Sequence, residues 1–166
     1  MPTVYLSLGS NLGDREANLR RAVQMLNEIP RARVVAVSSL YETAPIEDGG
    51  PDDYLNLAVK VDVDGTAQEF HHECSRIEQT LGRPAPPRRG PRLIDIDILL
   101  FDDACINEPG LQVPHPRMTQ RAFVLVPLSE IEPSLTLHGK SLTEWLRLLG
   151  NSQTVQRVKR AEEWWR

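Results

Sequence analysis

Residues 89–101 read Arg89-Gly-Pro-Arg-Leu-Ile-Asp-Ile-Asp-Ile-Leu-Leu-Phe101, and from Leu93 onward the apolar content demands a strand. Strand side chains change faces at every residue. Ile94, Ile96, Ile98 and Leu100 therefore form one apolar face that belongs in a core. Asp95 and Asp97 fall together on the opposite face, roughly 6–7 Å apart. Aspartate is a poor strand former, and like charges side by side repel. A hard divalent cation removes that repulsion, because Mg²⁺ takes one or two carboxylates together with substrate phosphates. From the pair alone, a metal site and a solvated edge with two surface acids are equally good readings. Arg92, beside Leu93 at the start of the strand, suits bidentate phosphate recognition and tips the balance towards a metal–phosphate site.

The loop before the strand strengthens that reading. Residues 83–92 hold four prolines, one glycine and four arginines, in a chain whose formal net charge is −4. The prolines exclude regular helix and central strand. Arginines for phosphate oxygens beside carboxylates for a metal are what a polyphosphate–metal complex needs. A solvated proline-rich linker is the plain alternative, and the loop's position directly before Asp-x-Asp favours function.

Working outward, strands and helices alternate. Residues 3–9 form a strand with Val4, Leu6 and Leu8 on one face. Asp14 is an N-cap candidate for a helix over 15–28, whose Leu19, Ala22, Val23, Leu26 and Ile29 follow helical spacing. Residues 33–41 are β-branched and read as one strand, 43–53 as a loop, and 54–62 as a cleanly alternating strand. A helix over 66–81 ends at Gly82. After Asp-x-Asp come a turn at Asp102-Asp103, a short strand near Cys105, a helix around 120–131 despite Pro127, and a last short helix over 141–148. The order predicts an α+β fold: a ferredoxin-like antiparallel sheet with helices packed on its faces. No repeat or linker divides residues 1–166, so a single domain is expected, with roughly 70% of the unfolded surface buried.

Composition excludes several classes. The 19 basic and 23 acidic residues argue against a general nucleic-acid binder. No apolar stretch reaches membrane-spanning length, and the first residues read as a strand, not a signal peptide. Cys74 and Cys105 match no metal or redox spacing, so the cytoplasm, with both thiols reduced, is the expected compartment.

Three further clusters bear on chemistry. Gly-Ser-Asn-Leu-Gly (9–13) lacks the spacing and lysine of a P-loop and reads as a turn with glycines at special backbone angles. His115, Arg117 and Arg121 place three cationic or potentially cationic groups in seven residues, which supports an anion site. Tyr54 and Asn56 share a strand face, and an aromatic beside an amide suits a flat heteroaromatic ring. An ordinary cross-strand surface pair fits them equally well.

Taken together, these segments resemble the 6-hydroxymethyl-7,8-dihydropterin pyrophosphokinase family. The run 88–99 is similar to that family's signature. Gly9-Ser-Asn-Leu12, Tyr41-Glu-Thr-Ala-Pro45, Tyr54-Leu-Asn56, Arg76-Ile-Glu78 with Gly82-Arg83, and Val113-Pro-His-Pro-Arg117 with Arg121-Ala-Phe123 follow in the family's order. The similarity runs to about residue 132. It implies transfer of pyrophosphate from the co-substrate ATP to the pterin's hydroxymethyl oxygen, with AMP leaving, by a monomer that needs neither nucleic acid nor membrane. It also implies that Asp95 and Asp97 hold two Mg²⁺ ions, and that Arg83, Arg92, His115 and Arg121 contact or screen the triphosphate. Glu78, Ile98 and Arg88 fall with the nucleotide contacts. The pterin stacks between Tyr54 and Phe123, with Asn56 and the backbone of Thr43, Pro45 and Ile46 reading its edge. Loops around 10–14, 44–53 and 83–91 close over the reactants and exclude water.

The chain departs from the family pattern at Arg89, where a tryptophan is common, and at Ala85, where a second arginine is common. Ser75 replaces a glutamine, and Pro116 stands where some members carry tyrosine. These bear on loop closure and nucleotide contacts more than on reaction class. The competing expectations are a ferredoxin-like binding module without chemistry and a two-metal phosphohydrolase.

Overall fold

The computed structural model describes residues 1–43, 53–82, 93–151 and 153–165. In chain order its elements are β1 (Thr3–Ser10), α1 (Arg15–Glu28), β2 (Ala32–Val37), β3 (Leu40–Thr43), β4 (Tyr54–Val63), α2 (Ala67–Thr80) and β5 (Asp95–Phe101). There follow β6 (Ile106–Glu108), β7 (Leu111–Val113), α3 (Ala122–Ile131), β8 (Thr136–Leu137), β9 (Lys140–Ser141), α4 (Leu142–Leu149), β10 (Val155–Lys159) and α5 (Ala161–Trp164). Six strands make one antiparallel sheet in the order β10-β3-β4-β1-β5, with β2 alongside the second half of β4. This is the α+β arrangement that the element order predicts. No helix among the described residues is long and apolar enough to cross a membrane.

Alternation in β1 and β4 sends their side chains to two different layers. Val4, Leu6 and Leu8 pair with Val61, Val59 and Leu57, and all six are fully buried against α1 and α2. The other face carries Tyr5 and Ala58, which pack with Leu99, Leu100, Val124, Leu125 and Leu128 beneath α3 and α4. Those two helices cover only the Tyr5 end of that face. Towards Gly9 the same face carries Asn56, Tyr54, Asp95 and Asp97 instead.

Helix ends follow the sequence closely. The Asp14 carboxylate accepts from the Ala17 N–H at 3.1 Å, and α1 spans the expected residues. Thr66 and Glu69 form a reciprocal capping box that starts α2. Gly82, just beyond its end, has φ +100°, a conformation that favours glycine.

Four expectations need correction. Residues 33–41 form two strands, because at Ser38 a hydroxyl takes the place of the backbone carbonyl towards β4 and Ser39 turns to a side chain. Ser38 Oγ accepts from Ala58 N at 2.9 Å, and Ser39 N and Oγ both donate to the Glu130 carboxylate. Leu100 does not share a face with Ile98. Leu6 pairs with Ile98 but Tyr5 pairs with Leu100, so Leu99 is an extra residue that reverses the alternation. Phe101 then joins the layer under α1 and α2, and Leu100 joins the opposite one. The helix expected from residue 120 starts at Ala122, after a tight turn at Met118–Gln120. Finally, α4 is not the last element: β10 adds an outer strand to β3, and the Trp164 indole of α5 is buried, donating to Ser38 O at 3.0 Å.

Candidate functional site

β5 is the sheet's edge strand, and its backbone N–H groups on the outer side need partners. The Ile96 N–H donates to Glu78 Oε2 at 2.7 Å, from a carboxylate that is only 7% exposed. The residue between the two aspartates is thus tied to α2. Asp95 and Asp97 lie opposite Gly9 and Ser7 of β1, half-buried and on the same face, as their spacing predicts. Glu78 itself does not border the cleft described next, and it is joined to that cleft through the Ile96 N–H of β5.

Asp95 and Asp97 open into a cleft of about 410 Å³ that also exposes Ile98, His115, Arg117 and Arg121. The cleft joins two carboxylates from one strand to two guanidinium groups from the segment after β7. His115 is held by its own backbone, whose N–H donates to Leu99 O at 2.9 Å. Its Nδ1 accepts from the Arg117 N–H at 3.2 Å, which leaves Nε2 to carry the proton. Burial first, and then the positive charges of Arg121 and Arg117, lower the His115 pKa to about 4 against the opposing pull of Asp95. With its pKa held below the usual histidine range, His115 is a neutral donor at neutral pH, so of the three groups in this segment it is the potentially cationic one. The Arg121 guanidinium lies 5.6 Å from the centre of the Phe123 ring, a cation–π distance.

Across β1 from the aspartates lies a second polar surface. Asn56, 2% exposed, donates through Nδ2 to Thr43 Oγ1 at 2.6 Å. This bond fixes the amide's orientation and leaves Oδ1 directed over Gly9. A Cβ on Gly9 would stand 2.8 Å from Asn56 Oδ1 and 3.3 Å from Tyr54 Cδ1. Gly9 is thus needed for close approach within β1, and not for a special backbone angle in a turn. The expectation of a turn glycine holds for Gly13, at φ +69°. Tyr54 is half-buried beside Asn56, and Phe123, also half-buried, packs against the layer beneath α3 and α4.

Arg83, Arg88, Arg92, Pro45 and Ile46 lie outside the described residues, as do the departures at Ala85 and Arg89. The cleft, however, has lining that sequence reasoning missed. His71 of α2 and Leu111 and Gln112 of β7 border it beside Ile98. β7 has only three residues, too few to show a period. His71 stands beside His72 in a helix where most polar residues are exposed, so nothing in the pattern marked it.

Residues 5–133 match the model of the family described as 7,8-dihydro-6-hydroxymethylpterin-pyrophosphokinase (HPPK). The chain belongs to this family. A relative named 2-amino-4-hydroxy-6-hydroxymethyldihydropteridine pyrophosphokinase, from Methylorubrum extorquens, is 43% identical over 159 residues, covering 96% of this chain and all of the relative. The Bacillus subtilis protein of the same name is 46% identical over 127 residues, 76% of each chain. At the level of fold, the chain resembles Plasmodium falciparum HPPK-DHPS with a TM-score of 0.71 at 16% identity, over 89% of this chain and 45% of that one. The HPPK family match ends before β8, yet the M. extorquens relative aligns with nearly the whole chain, C-terminal segment included.

Proposed function

We propose that this chain transfers pyrophosphate from ATP to 6-hydroxymethyl-7,8-dihydropterin, forming the pterin diphosphate and AMP in folate biosynthesis. The pterin hydroxymethyl oxygen forms a bond to the β-phosphorus, and the bond from that phosphorus to the oxygen bridging to the α-phosphate breaks. The hydroxyl proton passes to solvent. The observation that carries the reading is the placement of Asp95 and Asp97 on one face of β5, inside a cleft shared with His115 and Arg121.

The donor set fits Mg²⁺. Two carboxylates face the cleft, and among the described residues no third His, Cys, Asp or Glu completes a closed protein site. Mg²⁺ takes its remaining ligands from phosphate and water, whereas a structural zinc site is closed by protein. Asp95 and Asp97 would hold two ions, which when bound would neutralise charge on the triphosphate and lower the pKa of the substrate hydroxyl. Arg121 supplies fixed positive charge to the phosphates, joined by Arg83, Arg88 and Arg92 of the preceding loop. Neutral His115 donates its Nε2–H to a phosphate oxygen. Ile98 supports the base at the apolar end of the cleft, while Glu78 keeps the two aspartates in place. Asn56, oriented by Thr43, reads the pterin edge with the backbone around Pro45 and Ile46, and Tyr54 and Phe123 supply the stacking faces. The active form is a monomer.

AMP release from ATP and Mg²⁺, measured with and without the pterin, tests the proposal. Pterin-dependent AMP supports it. ADP or phosphate appearing without pterin overturns it in favour of a hydrolase, and nucleotide binding without turnover overturns it in favour of a binding module.

A further inference from the structure

Arg121 sits at a junction where its own N–H and carbonyl bond to near neighbours, Met118 O and the N–H groups of Val124 and Leu125, while the polar groups on either side of it do not. It is extended (φ −125°, ψ 107°) between the turn at Met118–Gln120 and the start of α3, and it makes no side-chain cap. The first N–H groups of a helix lack partners within the helix. That of Ala122 is met from far along the chain: Gln153 Oε1 accepts it at 2.8 Å. The same amide's Nε2 donates to Gln120 O, also at 2.8 Å. One primary amide thus grips the peptide groups on both sides of Arg121, using an acceptor and a donor that no carboxylate or amine side chain offers together.

The grip is anchored. Gln153 stands two residues before Val155, which pairs with Thr43 at the outer edge of β3. Farther along, Lys159 bridges to Glu16 at 2.7 Å, and Arg20 donates to Trp164 O at 2.9 Å, so the segment is fastened to α1 as well.

We propose that Gln153 is a positioning residue for Arg121, holding the guanidinium at the cleft it shares with Asp95, Asp97 and His115. The proposal rests on the pyrophosphokinase reading, in which that cleft receives the nucleotide phosphates. A helix cap of ordinary kind would stabilise α3 without favouring one substrate. A positioning role acts through Arg121, and therefore on the nucleotide.

The test is a double-mutant cycle with Gln153→Met, close in shape but without the amide, and Arg121→Ala. Loss of two neutral hydrogen bonds predicts a roughly tenfold rise in KM for MgATP with the KM for pterin nearly unchanged, alongside a lowered Tm from the lost cap that by itself would favour neither substrate. In the Arg121→Ala background, Gln153→Met should add nothing, because contacts that act as a unit are not additive. An effect of full size in that background, or one falling equally on both substrates, overturns the proposal. Should Gln153→Met fold poorly, Gln153→Glu retains the acceptor for Ala122 but cannot donate to Gln120, and the same cycle is read on it. Calorimetric binding of a non-hydrolysable ATP analogue with Mg²⁺ separates this proposal from the activity itself. Wild-type protein that binds the analogue but yields no pterin-dependent AMP defeats the activity. Arg121-dependent weakening by Gln153→Met supports the positioning role, and its absence defeats it.

Discussion

The Glu78 carboxylate accepts the backbone N–H of Ile96 at 2.7 Å, inside the protein and between two aspartates that point the other way. An edge strand held only by β1 would have one free side beside Asp95 and Asp97. Glu78→Ala leaves a buried N–H without its partner and should cost about 1–3 kcal/mol in urea unfolding. Glu78→Gln keeps an acceptor and should cost less than half of that. Equal losses for the two would show that charge, and not the hydrogen bond, is what α2 supplies.

Asp95→Asn and Asp97→Asn remove one charge each from a half-buried pair while preserving shape. Both variants should fold with unchanged Tm, since the substitutions relieve repulsion on one strand face. Turnover should fall by about a thousandfold or more, in line with the several kcal/mol that metal charge stabilisation supplies. AMP formation across a Mg²⁺ titration checks this, and full activity in either variant would remove that residue from the metal site.

Gly9→Ala tests the pterin side. The added methyl would meet Asn56 Oδ1 at 2.8 Å within a strand whose backbone accepts any residue. The amide must shift, breaking its alignment with Thr43. The expected outcome is a KM for pterin raised by roughly tenfold, the order of one misaligned hydrogen bond, with the KM for ATP unchanged. Equal changes for both substrates would argue that Gly9 matters to the strand alone.

His115 gives a pH signature in the metal- and nucleotide-free protein. Its folded pKa, about 4, lies below the ordinary 6.5. As pH falls through 6.5 the unfolded chain takes up the proton first, so stability declines until the folded state is protonated near pH 4. Above 6.5 this contribution is fully present. His115→Gln should flatten the denaturation midpoint between those limits, and an unchanged pH profile would show that the histidine titrates normally.

Much of this arrangement was legible from periodicity. β1, α1 and β4 each bury one set of residues at a regular interval, and Asp14 marks a helix start by its own chemistry. The shared face of Asp95 and Asp97 follows from the same rule. The reversal at Leu99 does not, because Ile98, Leu99, Leu100 and Phe101 are apolar on both sides and no polar residue marks the flip. Ser38 and Ser39 passed for strand because the partner of Ser39, Glu130, lies about ninety residues away and that of Ser38, Ala58, about twenty. Gln153 was invisible for the same reason: its two bonds reach back more than thirty residues, and glutamine in a loop carries no pattern. The neutrality of His115 required knowing how deeply the ring is buried.

The placement of β10 has a consequence for biosynthesis. β1 and β4, at the heart of the sheet, leave the ribosome well before β10, the strand that covers β3. Until residues 155–159 emerge, β3 presents an unpaired edge to other nascent chains, the kind of surface that invites intermolecular pairing. The strand carrying Thr43 is therefore completed only once residues 155–159 have emerged, and a chain cut short before them would lack both the cover on β3 and the indole of Trp164 that closes one layer of the core.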